Sequence, residues 1–163
     1  MKRHKSSGRR GLQPTTFSYI LIGLQIVLMV AVLYYPGRRD GGAQILLANM
    51  MRVVGVGVVS LALWQLRSYS LSALPEPIKG AKLLTRGLYK RVRHPVYSGI
   101  MLWGLGTLII RPSIARATLY GSLVALFIFK SAREERMLEA AFGSRYARYK
   151  LNTPRFIPRR KCT

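Results

Sequence analysis

Acidic residues are scarce in this sequence. Its 163 residues include five Asp or Glu against 27 Lys or Arg, so the net charge is +22 although half of the residues are hydrophobic. This balance fits a membrane protein whose water-facing ends are basic. It fits a nucleic-acid-binding protein poorly, because long apolar runs separate the basic residues.

Cysteine and histidine are scarcer still. Cys162 is the single cysteine, so neither an internal disulfide nor a cysteine-based metal site is available, and we expect no bound metal. The two histidines are His4, in a basic N-terminal tail, and His94, at the start of an apolar run. His94 is therefore the histidine placed to take part in a site.

Long uncharged runs predict membrane helices. Residues 17–35 carry no charge, and a helix of that length is about 28 Å long, close to the hydrocarbon thickness of a bilayer. Because a signal peptide has a shorter apolar run and a small-residue cleavage site, we expect a retained membrane helix. A second is predicted over residues 43–66, where Gly55 and Gly57 would permit close helix packing. Arg52 lies inside this run, where a charge costs about 2.5–3.5 kcal/mol unless it reaches the interface.

Two shorter apolar runs predict a helical hairpin. Proline is tolerated at the first position of a helix, so we predict a third helix that begins at Pro95 and ends near residue 110. Ser113 is the expected N-cap of a fourth helix. Each apolar part has about 14 residues, or about 20 Å of helix. The hairpin then barely crosses the membrane, or crosses it with Arg111 and Arg116 snorkelling outward.

The fourth helix is predicted to continue beyond its apolar part, toward residue 141, with Gly143 as its interruption. Leu138, Phe142, Tyr146 and Tyr149 recur at helical spacing. This spacing predicts a cytosolic amphipathic segment that packs on the membrane face.

The distribution of positive charge predicts the orientation. Of the 27 basic residues, 22 lie in the N-terminal tail, in the connection at 67–94, or from Lys130 onward. The positive-inside rule places these three regions in the cytoplasm. We therefore expect an all-α, multi-pass integral membrane protein with four helices in the membrane and both termini cytoplasmic, its basic parts lying against membrane lipids.

Basic side chains stand beside the predicted start of the third helix. The first N–H groups of a helix are unpaired and its dipole is positive there, so Arg93 and His94 beside Pro95 would form a small anion site. An alternative is that these are the basic residues that flank many membrane helices, with Tyr97 as an interface anchor.

Three of the five acids lie within six residues, near the cytosolic end of the fourth helix: Glu134, Glu135 and Glu139. Glu134 has Lys130 one turn before it, but Glu135 has no basic residue three or four positions away. Glu135 therefore needs a partner from elsewhere, either the basic 86–93 loop or a bound cationic ligand.

Two motifs in this half of the chain resemble one enzyme family. Residues 93–99, Arg-His-Pro-Val-Tyr-Ser-Gly, are similar to the RHPxYxG motif of isoprenylcysteine carboxyl methyltransferases. The C-terminal part of the chain resembles that family's C-terminal pattern, at Glu134-Glu135, Leu138, Phe142-Gly143, Tyr146, Tyr149 and residues 154–158. Gly87-Leu88-Tyr89, before the first motif, also fits the family. Phospholipid N-methyltransferases share a looser version. The resemblance covers about residues 70–158.

The resemblance implies an integral membrane methyltransferase that uses S-adenosylmethionine without a Rossmann domain and releases S-adenosylhomocysteine. The sequence contains no Gly-rich strand-to-helix fingerprint, which is consistent with this. The chain would then be one membrane domain, with a basic cytosolic tail at 1–16, two membrane helices in 17–66 and a methyltransferase core at 67–158.

The same resemblance implies which residues line the cofactor pocket: Tyr89, Arg93, His94, Pro95, Tyr97, Gly99, Glu134 and Glu135. Within it we expect Arg93 and His94 to hold the cofactor carboxylate. Glu135, helped by Glu134, would take its ammonium. Tyr89 and Tyr97 would flank its adenine or sulfonium.

The acceptor is expected to be lipid-like and to enter between helices. A carboxylate acceptor needs no general base but does need a cation to orient it, and Arg155 is the predicted catalytic residue in that role. An amine acceptor, as in phospholipid N-methylation, would need a base, and none is evident. A third interpretation is a non-catalytic membrane protein whose basic ends bind anionic lipid.

Overall fold

The computed structural model describes residues 16–36, 43–67 and 83–158. Within these ranges the chain is helical and contains no strand, which confirms the predicted all-α class. The elements are α1 (Thr16–Tyr34), α2 (Ala43–Arg67), a 3-10 turn (Gly87–Lys90), α3 (Pro95–Ile110), α4 (Ile114–Phe142) and α5 (Ser144–Asn152). The N-terminal tail and most of the 67–94 connection lie outside the described residues.

Three helices are long and apolar enough to cross a membrane, judged by length and composition: α1, α2 and α4. α3 is apolar too, but its 16 residues give only about 24 Å of helix. The predicted multi-pass membrane protein is therefore supported for three helices. A fourth crossing and the cytoplasmic placement of the termini remain predictions.

The outer faces of α1 and α2 are hydrophobic. Val27 on α1 and Val53 on α2 are 63% and 72% exposed, and they belong to long rows of similarly exposed side chains. A water-soluble monomer rarely exposes a continuous apolar surface of this kind. These faces therefore suit contact with lipid.

α3 packs most extensively along α2, and small residues make this contact. A Cβ atom added at Gly55 would lie 2.6 Å from the carbonyl oxygen of Gly99, and one added at Gly106 would lie 2.6 Å from that of Ala48. The two backbones touch directly, as predicted for Gly55. The same prediction for Gly57 is wrong, because Gly57 has no atom within 4 Å of its added Cβ and faces away.

The start of α4 is fixed by polar contacts. Ser113 is its N-cap, as predicted, and the Ser113 hydroxyl accepts a hydrogen bond from the backbone N–H of Arg116. The prediction that Arg116 snorkels outward is wrong, since its side chain is fully buried. It donates to the carbonyl oxygens of Arg111, at 2.9 Å, and Tyr35. These carbonyls end α3 and α1 and lack partners within their own helices, so the guanidinium caps both.

Gly143 ends α4, as predicted. Its φ of +56° lies in the left-handed region that glycine tolerates, and its N–H donates to the carbonyl oxygen of Glu139 at 2.8 Å. The chain then turns into α5, whose Tyr146 is buried. This turn brings the segment after α5 back toward the start of α3.

Candidate functional site

The C-terminal segment lies against the beginning of α3. The backbone N–H of Arg93 donates to the carbonyl oxygen of Pro154 at 2.9 Å, and that of His94 donates to Arg155 at 3.1 Å. The Ser98 hydroxyl lies 2.8 Å from the carbonyl oxygen of Phe156. These bonds hold Arg155 beside the two motifs that the sequence singled out.

Glu135 of α4 lies at the centre of a group of basic side chains. Its carboxylate is 2% exposed and accepts two hydrogen bonds from Arg155, from Nε at 2.9 Å and from Nη2 at 3.0 Å. Arg93 approaches the same carboxylate to 3.2 Å. The Glu135–Arg155 contact is bidentate, the strong form of this ion pair. In turn, it raises the pKa of Arg155, which stays charged.

His94 bridges the two neighbouring carboxylates. Its Nε2 lies 3.2 Å from Glu135 Oε1 and its Nδ1 lies 3.3 Å from Glu134 Oε2. Burial alone lowers the pKa of His94, but the interactions with Glu134 and Glu135 outweigh burial and raise the pKa above its ordinary value. The two carboxylates therefore favour the protonated, cationic form of His94.

Lys150 of α5 completes the group. Its Nζ lies 2.7 Å from Glu139 and 3.6 Å from Glu135, and its carbonyl oxygen accepts from Arg93 at 3.3 Å. We call Arg93, His94, Glu134, Glu135, Lys150 and Arg155 the charged cluster. It joins the start of α3, the end of α4, α5 and the C-terminal segment.

An aromatic stack connects the charged cluster with the interior of the helix bundle. The His94 and Tyr97 rings are stacked, 5.5 Å apart and 9° from parallel, and Tyr97 stacks in turn on Phe127 at 4.8 Å. Lys130 Nζ lies 5.5 Å from the centre of the Tyr97 ring. Tyr97 therefore connects His94, the partner of both carboxylates, with Phe127 of the core.

Tyr89 reaches the site from the 3-10 turn. Gly87 begins this turn with φ +60°, and the N–H of Leu88 donates to the Gln65 side chain at 3.0 Å. The Tyr149 hydroxyl donates to the Tyr89 carbonyl oxygen. Burial, and then the negative charge of Glu134, raise the pKa of Tyr89, so its hydroxyl stays protonated.

The structure brings together most of the residues singled out from the sequence. Arg93, His94, Glu134, Glu135 and Arg155 are joined by the contacts above, and Tyr97 stacks on His94. Pro95 is buried at the first position of α3. Gly99 is the exception, because it faces α2, where a Cβ would lie 2.7 Å from the Gly55 carbonyl oxygen. Whether these residues bind a cofactor remains a prediction.

Glu135 and Glu134 differ in how their oxygens are occupied. Basic side chains of the chain itself surround Glu135. Its partners, which the sequence left open, include Arg155 as well as the basic loop. Glu134 Oε2 is buried and makes no hydrogen bond among the described residues, although His94 Nδ1 lies 3.3 Å away. Glu134 is therefore the carboxylate with capacity for a ligand.

The sequence analysis assigned no site role to Lys130, Lys150 or Phe156, although Lys130 was noted one turn before Glu134 and Phe156 lies in the 154–158 pattern. Phe156 contacts His94, with the ring centres 5.9 Å apart. Lys130 is only 6% exposed and donates to Gln25 of α1. One signal was available for that pair, because Gln25 is the only amide in the otherwise apolar α1.

Comparison with known proteins gives a family. The profile of the family described as "Phospholipid methyltransferase" matches residues 43–145. The Arabidopsis thaliana protein-S-isoprenylcysteine O-methyltransferase B is 25% identical over 165 aligned residues, covering 91% of this chain and 81% of the relative. The Schizosaccharomyces pombe protein-S-isoprenylcysteine O-methyltransferase is 38% identical over 95 residues, but this covers 56% of this chain and 39% of the relative.

A solved structure shares the fold. The eukaryotic intramembrane Ras methyltransferase ICMT (isoprenylcysteine carboxyl methyltransferase) superposes with a TM-score of 0.58 at 23% identity, covering 90% of this chain and 54% of that one. The chain thus spans about half the length of that enzyme. The family profile, in contrast, matches more than half of this chain. The chain belongs to the phospholipid methyltransferase family, and the resemblance to membrane-bound isoprenylcysteine methyltransferase enzymes that its motifs indicated is confirmed.

Proposed function

We propose that the protein transfers a methyl group from S-adenosylmethionine to the carboxylate of an isoprenylcysteine-type, lipid-like acceptor at the cytosolic membrane face. The observation that carries the proposal is the pair of adjacent carboxylates, buried Glu135 and partly buried Glu134, that contact His94 beside the Tyr97 ring. One of them, Glu134, has an oxygen without a hydrogen bond among the described residues.

The residues present fit the cofactor. S-adenosylmethionine carries an ammonium, a sulfonium, an adenine and a carboxylate, and it supplies an activated methyl group. Glu134 would accept hydrogen bonds from the ammonium. The Tyr97 and Tyr89 rings would lie against the sulfonium or adenine, because aromatic faces attract cations and stack on flat rings. Arg93 would hold the carboxylate.

Glu135 has a different role in this proposal from the one expected from the sequence, which was to bind the cofactor ammonium. Its carboxylate is enclosed by Arg93, His94 and Arg155, so it orients these cations. Glu134 then takes the part of direct partner for the ammonium. Because Glu135 fixes the three cations before any ligand arrives, the site needs little rearrangement on binding.

The reaction requires mainly that the acceptor oxygen be aligned with the methyl–sulfur bond of the cofactor. When bound, S-adenosylmethionine would supply its methyl group to an acceptor carboxylate oxygen aligned with the methyl–sulfur bond, and no proton would need to move. Positioning supplies several kcal/mol in such a step, about 7–11 at most. Two nitrogens of Arg155, Nε and Nη2, donate hydrogen bonds to Glu135. The Arg155 side chain is 32% exposed, so its third nitrogen, Nη1, is available to hold the acceptor carboxylate.

O-methylation is favoured over N-methylation by the state of His94. An amine acceptor must lose a proton, and a base is needed to receive it. His94 is the histidine of the charged cluster, and both of its ring nitrogens face carboxylates, so neither is placed to receive a proton from an amine. The family description leaves phospholipid N-methylation as the second candidate.

The test is a methyl-transfer assay in detergent micelles with labelled S-adenosylmethionine. We expect label in N-acetyl-S-farnesylcysteine as a base-labile methyl ester, with little in phosphatidylethanolamine. Label confined to the amine would establish the N-methyltransferase alternative. If neither acceptor is labelled and S-adenosylhomocysteine does not bind, the protein is a non-catalytic membrane protein.

A further inference from the structure

Lys130 is a buried lysine outside the ion pairs of the charged cluster, although Glu134 lies near enough to interact with its charge. It lies on α4 one turn before Glu134, and its side chain is 6% exposed. Its Nζ donates to Gln25 Oε1 and lies over the Tyr97 ring. Neither partner is charged, and the ion pairs among the described residues do not include Lys130.

The direction in which Lys130 points is unusual for a membrane helix. A lysine at the end of an apolar run ordinarily extends its ammonium toward the lipid headgroups. Lys130 instead bonds to the middle of α1, since Gln25 is the tenth of the 19 residues of Thr16–Tyr34. That point is about 14 Å from either end of the helix. Ionisable groups held at such depth mark substrate or ion pathways more often than structural contacts.

The position of Lys130 relates it to the acceptor. The Tyr97 ring, which Lys130 contacts, also stacks on His94, so Lys130 and the charged cluster share one aromatic neighbour. His94 of the charged cluster contacts the Tyr97 ring from the cytosolic end of the fold, whereas Lys130 contacts it from the apolar part of α4. An ammonium has three N–H donors, and Gln25 uses one of them.

We propose that Lys130, oriented by Gln25, binds the carboxylate of the lipid-like acceptor from the bilayer side. This rests on the proposed function and deepens it. Arg155 would hold the same carboxylate from the cytosolic side. An amphiphile that enters between the helices tail-first places its head group at this boundary. The protein would then bind acceptors that have an anionic head group and reject those with a neutral or cationic one.

The central experiment removes the charge and keeps the length. Lys130→Met is compared with wild type using N-acetyl-S-farnesylcysteine and its carboxamide, in the same micelles. We expect the KM for the acid to rise about tenfold or more, the range for a lost charged hydrogen bond. The carboxamide is uncharged, so its inhibition constant should change little. S-adenosylhomocysteine affinity should also be unchanged.

Two further variants separate binding from folding. Lys130→Arg keeps the charge and should restore most of the affinity for the acid. Gln25→Glu gives Lys130 an internal carboxylate, which should raise the KM for the acid while the protein stays folded. Arg136→Met removes an exposed charge from the same helix and should have no effect on KM.

Several results would overturn the inference. If Lys130→Met lowers only the melting temperature and leaves the KM unchanged, the lysine merely clamps α1 to α4. If Lys130→Met does not fold, an unchanged KM in folded Gln25→Glu is equally decisive. If wild type binds S-adenosylhomocysteine but does not methylate the farnesylcysteine, the proposed acceptor is wrong, and this inference is overturned with it.

Discussion

The α2–α3 contact and the charged cluster both hold α3 in place, but by different physical means. At Gly55 and Gly99 two backbones touch, with no room for a methyl group on either helix. At the start of α3, Arg93 and His94 are held by a carboxylate of α4 and by carbonyl oxygens of the C-terminal segment. One contact depends on shape and the other on charge.

The difference indicates which contact can respond to a ligand. Close-packed backbones have no alternative partner of the same shape, so the α2–α3 contact is a fixed support. In the charged cluster, Glu134 Oε2 makes no hydrogen bond among the described residues and can pair with an incoming ligand while the contacts of Glu135 stay in place. The backbone contact therefore supports α3 along its length, and the capacity for a ligand lies beside its first turn.

The largest effect should come from the centre of the charged cluster. Glu135→Gln leaves Arg93, His94 and Arg155 buried or half-buried without their shared anion, and breaking such a pair costs about 3–5 kcal/mol. Denaturant unfolding in detergent should show this loss. The matched control is Glu139→Gln, whose half-exposed pair with Lys150 should change stability by less than about 1 kcal/mol. Equal losses in both variants would contradict the central position of Glu135.

A smaller effect is expected at the glycine contact. Gly55→Ala would place a methyl group 2.6 Å from the Gly99 carbonyl oxygen, so the helices must move apart. Overpacking of this kind costs about 1–3 kcal/mol. Gly57→Ala, two residues away on the same helix, meets no atom within 4 Å and should be neutral or slightly stabilising. Unfolding of the two variants side by side measures the contrast, and indistinguishable stabilities would refute the backbone contact.

Arg155→Lys separates acceptor orientation from cofactor binding. A lysine cannot reproduce the planar two-point contact of arginine. We expect turnover to fall roughly tenfold, or about 1.4 kcal/mol, with nearly unchanged affinity for S-adenosylhomocysteine. Methyl-transfer rates and calorimetry on the same preparation give both quantities. Full turnover would reduce Arg155 to a structural partner of Glu135.

The smallest effect concerns pH. The pKa of folded His94 is raised above its ordinary value of 6.5, so protonated His94 stabilises the fold. That contribution is complete below the unfolded pKa and is lost as pH rises through the higher folded pKa. Melting temperatures should therefore fall as the pH rises above about 6.5 in wild type, and this slope should be flatter in His94→Gln. Parallel profiles would contradict a cationic His94.

Local signals predicted most of the helices. Uncharged runs, Pro95 at a helix start, Ser113 as a cap and Gly143 as a stop are each encoded within a few residues, and the structure follows them. The errors at Arg116 and Gly57 have one cause. Each depends on which neighbouring helix faces the residue, and that information is absent from a single helix.

The sequence predicted most members of the charged cluster, with Lys150 the exception, but it did not predict their pairing. The two motifs named Arg93, His94, Glu134, Glu135 and Arg155, and the structure joins them. The sequence left the partner of Glu135 open, because Arg155 reaches it only after the chain turns at Gly143 and its C-terminal segment pairs with residues 93–94. The Lys130–Gln25 contact joins residues 105 positions apart, and no local pattern specifies that α1 lies beside α4.

The most direct test of the cofactor site is calorimetry with S-adenosylhomocysteine on wild type, Glu134→Gln and Glu139→Gln. Glu134→Gln removes the carboxylate charge proposed to face the ammonium and keeps its shape. Its affinity should fall by about 1.5–3 kcal/mol, or roughly tenfold to a hundredfold, while Glu139→Gln binds like wild type. A folded Glu134→Gln variant with wild-type affinity, or a wild type that does not bind, would contradict the proposal that these carboxylates form a methyl-donor site.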